Sequence, residues 1–142
     1  MRALLDVNVL IALFDADHSL HAQALRWFGE NAKAGWASCP LTQNGCIRIM
    51  SQPAYPNCVP VSAIAARLQE AVSQPQHEFW PDSVSALDGS IIDTSRIHGA
   101  KQLPDVYLLA LAVQHGGRLV TFDRSLPASA AVKAQKKHLV VI

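Results

Sequence analysis

The sequence predicts an α/β sandwich: a single domain, residues 1–142, with helices on both faces of a short, mainly parallel central sheet. Three observations carry that prediction. Short apolar stretches alternate with stretches of helical periodicity along the whole chain, which is the order of βαβ units. A length of 142 residues suits one core. Pro and Gly are spread along the chain, and no internal repeat, low-complexity tract or long linker marks a boundary.

Ala3 to Leu5 reads as a short buried strand that stops at Asp6. Extending it through Val7–Phe14 would give an overlong strand carrying Asp6 and Asn8 inside it, so the apolar run after Asp6 is assigned to a helix. Leu20, Ala24, Trp27 and Phe28 recur at helical spacing and predict an amphipathic helix that ends near Ala34 and Gly35. Trp36 to Cys39 is a second strand. Pro40 and Thr42 open a helix in which Cys46, Ile49 and Met50 share a face, until Pro53 and Pro56 force a loop. Gln43 lies one turn before Cys46 on nearly that face.

Ile64, Ala65, Leu68 and Val72 predict a further helix, and the irregular stretch after it has room for a short strand around Glu78–Trp80. Val106, Leu109, Ala110 and Val113 then give the clearest helix, Asp105 to Gln114, stopped by Gly116 and Gly117. Leu119 to Phe122 is a strand ending at Asp123. Leu139 to Ile142, without a polar residue, reads as a final strand covered on both faces.

Composition narrows the function. Half the residues are apolar and 16% are charged, so the chain can bury a full core. Twelve Lys plus Arg against eleven Asp plus Glu leave a net charge of +1, too little for undirected attraction to nucleic acid or an anionic membrane. Any polyanion must be held locally. The three cysteines, Cys39, Cys46 and Cys58, have neither disulfide-framework nor zinc-ligand spacing, which points to a reducing cytoplasm. Asp6 interrupts any early apolar run, and none approaches the roughly 18 residues that span a bilayer, so neither a signal peptide nor a membrane segment is expected.

Among the eleven carboxylates, Asp6 follows the first strand, Asp123 follows a late strand, and Asp105 stands at the mouth of the clearest helix. Each alone reads well as a helix cap. Together they differ, because a parallel sheet sets strand ends side by side and gathers ligands at its carboxyl end. Three ionised carboxylates in one place repel and raise one another's pKa unless a cation satisfies them. Mg²⁺ or Mn²⁺, which takes oxygen ligands and keeps waters, is the natural partner. Such an ion lowers the pKa of water, so that hydroxide forms near neutral pH and attacks phosphorus in line.

Leu4–Leu13, Leu41–Gly45, Leu103–Ala112 and Leu119–Asp123 resemble, in order and spacing, the successive motifs of PIN-domain ribonucleases, in particular the VapC toxins of toxin–antitoxin modules. The closing His138–Ile142 is also similar to the end of such toxins. The resemblance implies a Mg²⁺- or Mn²⁺-dependent endoribonuclease that dimerises and is inhibited by a cognate antitoxin. It matches Asp6, Asp105 and Asp123 to the acidic metal site, with Asn8 and Thr121 as supporting residues. Asn8 as an exposed residue of a first helical turn and Thr121 as a plain strand residue remain equally good readings.

One position departs from the pattern. Gln43 stands where such toxins carry Glu, and an amide has neither the charge nor the basicity of a carboxylate. On that match Gln43 joins the catalytic set, metal binding and cleavage are weaker than in Gln43→Glu, and the change is either natural or introduced to tame a toxic enzyme. Two other classes remain open: a non-catalytic PIN-like module that binds RNA or an antitoxin, and, less well matched, a phosphoacceptor switch domain.

Arg48 and Arg124 are candidates for flanking phosphate contacts or simple solvated charges, and Lys133, Lys136 and Lys137 form the one dense basic cluster. The six histidines lack zinc spacing, and the three tryptophans are read as core or interface residues. Leu20–Ala34 and Ile64–Val72 are the helices expected to offer a dimer face.

Overall fold

The computed structural model describes all 142 residues. Its strands are β1 (Ala3–Leu5), β2 (Trp36–Ser38), β3 (His77–Phe79), β4 (Arg118–Thr121) and β5 (Leu139–Val141). They form one sheet in the order β3-β2-β1-β4-β5, every pair parallel. The helices are α1 (Val7–Phe14), α2 (His21–Asn31), α3 (Pro40–Met50), α4 (Val61–Val72) and α5 (Leu103–Gln114). Beyond the sheet, a lone antiparallel bridge joins Ile92 to Ala131.

Alternation along the central strands sends side chains to opposite faces and so makes two cores. Leu4, Ala37 and Leu119 join Trp80 and the buried residues of α5 on one face. Ala3, Leu5, Trp36 and Val120 join α1, α3 and α4 on the other. α5 buries far more than the expected stripe: Val106 and every residue from Leu108 to Ala112 are inaccessible. Its outer side is covered by the chain around Val84, Ile92, Leu126 and Ala130, which removes the polar face that a surface helix needs.

The strand read as covered on both faces does meet a core on each face, but it is the sheet edge and only partly buried. β5 has only β4 beside it; Leu139 and Val140 are half-buried and Val141 is 41% exposed. Its apolar composition reflects contact with both cores, Leu139 packing on one and Val140 on the other, although no strand or helix closes its far side.

Two close approaches fix the frame. Arg2 at the foot of β1 donates to the carbonyls of Gln76 (2.6 Å) and Trp36 (3.2 Å) and pairs with Glu78, clipping β1 to β2 and β3. Gly35, at φ +88°, leaves the space its guanidinium occupies, since a Cβ there would lie 2.5 Å from Nη1. In the middle of α3, a Cβ on Gly45 would lie 2.8 Å from Val7 Cγ2, so the bare glycine lets α3 pack closely on the start of α1. The backbone N–H of Cys39 and the Thr42 hydroxyl, 3.0 Å apart, close the first turn of α3.

Candidate active site

β1 and β4 lie side by side, with Leu5 opposite Val120, so their carboxyl ends deliver Asp6 and the Thr121–Asp123 segment to the same place. Asp6 is only 4% exposed. It caps α1, accepting from the Val7 N–H at 2.7 Å, while its other oxygen accepts from the Thr121 hydroxyl at 2.7 Å. Thr121 in turn accepts from the backbone N–H of Asp123 at 3.0 Å. One buried hydroxyl therefore ties two of the acids together.

Asp123 turns onto Ser125, accepting from its N–H at 2.8 Å and its hydroxyl at 2.7 Å. Those hydrogen bonds, with the serine hydroxyl first, hold its carboxyl below the usual range, and a hydrogen bond from Asp105 adds to them. Asp105 sits in the first turn of α5 behind Pro104. Burial, followed by the negative charges of Asp6 and Asp123 and the hydrogen bond to Asp123, pushes its pKa up to about 7. Asp6 is also raised, burial outweighing the hydrogen bonds from Thr121 and Val7 that favour its ionised form. Near neutral pH Asp105 is therefore only partly ionised, while Asp123 is the more readily ionised of the two.

The acids open onto a cleft of about 410 Å³. Asp6 and Asp105 form one wall, Asn8 stands on α1, and α3 contributes Asn44, Gly45 and Arg48. Asp123 is not in the wall, but its charge raises the pKa of both other acids. Thr121 and Asn8 both belong to the site: the first is completely buried under the acids, the second is exposed in the cleft.

Gln43 does not join them. Its Nε2 donates to Ser38 Oγ at 2.9 Å, and Ser38 Oγ lies 2.8 Å from His77 Nε2, so the side chain points toward β2 and β3. Asn44, about 100° further around the helix, lines both the cleft and a second hollow beside α4, whereas Gln43 lines only the second. The Gln43 side chain is thus hydrogen-bonded toward β2 and is not among the residues lining the acidic cleft. Burial lowers the His77 pKa and so favours the neutral imidazole, whose tautomer sets the direction of its hydrogen bond with Ser38.

Sequence reasoning missed Asn44, Ser125, Ser38 and His77 as parts of this region. The Asp123-x-Ser125 spacing was a legible signal for a local carboxylate turn. The spacing of Asn44 and Arg48, four apart, was a legible signal for a shared helix face. Elsewhere, His115 stacks on Trp80 at 4.5 Å, and Trp27 lies under Arg118.

The donor set bears on the kind of metal that fits. The site offers carboxylate and amide oxygens with no Cys or His among its lining, and burial and the neighbouring acids raise the pKa of one of its carboxyls to about 7. That chemistry fits a hard divalent ion and not Zn²⁺. No group of three or more His, Cys, Asp or Glu side chains stands close enough together to hold a metal ion.

The PIN domain family matches residues 3–132. The whole chain is 51% identical to all of Ribonuclease VapC44 of Mycobacterium tuberculosis. It is 45% identical over 132 residues to Ribonuclease VapC39 of the same organism, covering 92% of this chain and 95% of that one. Among solved structures, the fold is similar to VapBC2 from Rickettsia felis bound to a DNA fragment from their promoter (TM-score 0.58, 13% identity, 100% of this chain and 98% of the other). It is also similar to Mycobacterium tuberculosis VapC20, a sarcin-ricin loop cleaving toxin (TM-score 0.62, 12% identity, 94% and 98%).

Proposed function

This chain belongs to the PIN-domain family and, within it, to the VapC ribonucleases, and from that premise we propose that it is an endoribonuclease toxin whose cutting site is the Asp6–Asp105–Asp123 cluster. The observation that carries the assignment of the site is the mutual coupling of three carboxylates beside an open cleft. Carboxylates so arranged destabilise one another and gain from a bound cation.

Asp6 and Asp105 are the residues that would hold Mg²⁺ or Mn²⁺, with Asp123 acting on them through its charge. When bound, the ion supplies a Lewis acid and a water of lowered pKa at the phosphodiester. Thr121 holds the Asp6 carboxylate in place through its 2.7 Å hydrogen bond. The Ser125 hydrogen bonds favour the ionised form of Asp123, and a cation held by Asp6 and Asp105 would favour the ionised form of Asp105 as well. The amides of Asn8 and Asn44 and the guanidinium of Arg48 line the path of the substrate.

An antitoxin partner follows from the VapC membership, with the cytoplasm as the place of action. No helix is long and apolar enough to cross a membrane. We assign homodimerisation to the faces of α2 and α4, where Leu25 and Val61 remain 53% and 58% exposed. The deciding experiment incubates the purified chain with RNA and Mg²⁺ or Mn²⁺, beside Asp6→Ala and Asp105→Ala. Cutting that needs both the cation and both acids supports the reading. RNA or antitoxin binding without cutting returns the chain to the non-catalytic class.

A further inference from the structure

Within the cleft, the α3 wall differs in character from the acidic wall. Asn44 and Arg48 are four residues apart, on one face of the helix, and both are exposed. Neither side chain is occupied: the two ion pairs of the fold are Arg2–Glu78 and Arg96–Asp93, and no side-chain hydrogen bond involves Asn44 or the Arg48 guanidinium. Asn8, across from them on α1, is equally free. Arg48 is the one cation in the cleft wall, and it remains unpaired although Asp6 and Asp105 line the same cleft.

An RNA strand entering this cleft meets an electrostatic difficulty. The scissile phosphate is accommodated by the acids once they hold a cation, but the neighbouring phosphates face a site that remains acidic. A net charge of +1 gives no general attraction to offset that repulsion. The offset must come from a cation placed beside the acids. A guanidinium is suited to this, because its planar fork takes two phosphate oxygens at once. An amide one turn away is the group that pairs with a base edge.

We propose that α3 is the RNA-gripping helix of the cleft: Arg48 takes a phosphate flanking the one being cut, and Asn44 reads the edge of an adjacent base. The inference rests on the ribonuclease reading above and adds to it the residues that hold and select the strand. The two contacts have different signatures, since a phosphate contact contributes to every sequence and to the salt dependence, while a base contact contributes to choice alone.

The test uses the full chain in three forms, wild type, Arg48→Ala and Asn44→Ala, with Arg48→Lys as the conservative control. Binding of fluorescent single-stranded RNA oligonucleotides is followed by anisotropy across a salt series in Ca²⁺, and cleavage of a mixed-sequence RNA is followed in Mg²⁺. Arg48→Ala is expected to weaken binding about tenfold for all sequences and to flatten the slope of log K against log salt by about one, with Mg²⁺ affinity of the RNA-free protein not reduced. Arg48→Lys restores the slope. Asn44→Ala is expected to keep the slope and broaden the cleaved sequences. If the wild type binds and cuts RNA while Arg48→Ala keeps its affinity or its slope, the phosphate role is overturned; an unchanged cleavage pattern in Asn44→Ala overturns the reading role. RNA neither bound nor cut by the wild type overturns the ribonuclease reading, and this inference with it. Thermal unfolding of each variant identifies any loss due to folding, in which case Arg48→Gln and Asn44→Asp replace the alanines.

Discussion

Asp105→Asn should make the protein more stable while removing its activity, and the size of the gain follows from the site. The Asp105 carboxyl has a pKa of about 7 in the fold, raised chiefly by burial and then by Asp6 and Asp123, against an ordinary 3.8. Between those values the folded chain keeps a proton that the unfolded chain has released, so stability falls as pH rises through this window and levels off above it. At 1.36 kcal/mol per pH unit the full penalty at pH 8 has a ceiling of about 4 kcal/mol. Asp105 is half-exposed, and solvent screening reduces this to about 1–2 kcal/mol. Asparagine is neutral, nearly the same shape, and can still donate to Asp123. The expected result in EDTA at pH 8 is a melting temperature about 3–8 °C above wild type, shrinking by about half or more at pH 4.5, where the wild-type carboxyl is protonated. Added Mg²⁺ should stabilise the wild type far more than the variant. Thermal unfolding by circular dichroism at the two pH values measures this. A variant no more stable than wild type at pH 8, or one whose gain is equally large at pH 4.5, would refute the reasoning.

Three more outcomes are expected. Thr121→Val removes the hydroxyl that serves Asp6 and Asp123, costing about 1–3 kcal/mol and moving the acid limb of the cleavage pH profile upward, because Asp6 then ionises less readily; Thr121→Ser restores both, as denaturant unfolding and pH–rate measurements would show. Gln43→Glu places its new charge beside Ser38 and His77, so the His77 pKa should rise by NMR titration while metal affinity and cleavage stay within about twofold; a clear gain in either would restore Gln43 to the catalytic set. Gly45→Ala should destabilise the fold by about 1–3 kcal/mol through its contact with Val7, and the double change with Val7→Ala should recover part of that loss in thermal unfolding.

The parts of this fold that were legible in the sequence are those fixed by local chemistry. Asp6 after an apolar triplet and Asp123 after another marked two strand ends, and parallel pairing of β1 with β4 made them neighbours. Pro40 and Thr42 set the start of α3 within a residue, because the proline fits a first turn and the threonine hydroxyl closes it. The parts that were not legible depend on what packs against them. β5 looked buried because apolarity does not distinguish a strand between neighbours from one touching two cores at an edge. The width of the apolar face of α5 depends on a loop more than ten residues away in sequence. At the site, a match of motifs put Gln43 with the acids; in the structure Gln43 bonds to Ser38, and Asn44 and Arg48 are the polar α3 side chains in the cleft wall. Sequence spacing specifies which residues share a helix face; it does not specify which face meets the cleft.

The most direct test is anomalous diffraction from crystals soaked in Mn²⁺. A peak within coordination distance of the Asp6 and Asp105 carboxylates, lost in Asp105→Asn, is the predicted result. Mn²⁺ binding elsewhere on the surface, or a cleft left empty while the same crystals' protein cuts RNA in Mn²⁺, would contradict the placement of the catalytic centre at these acids.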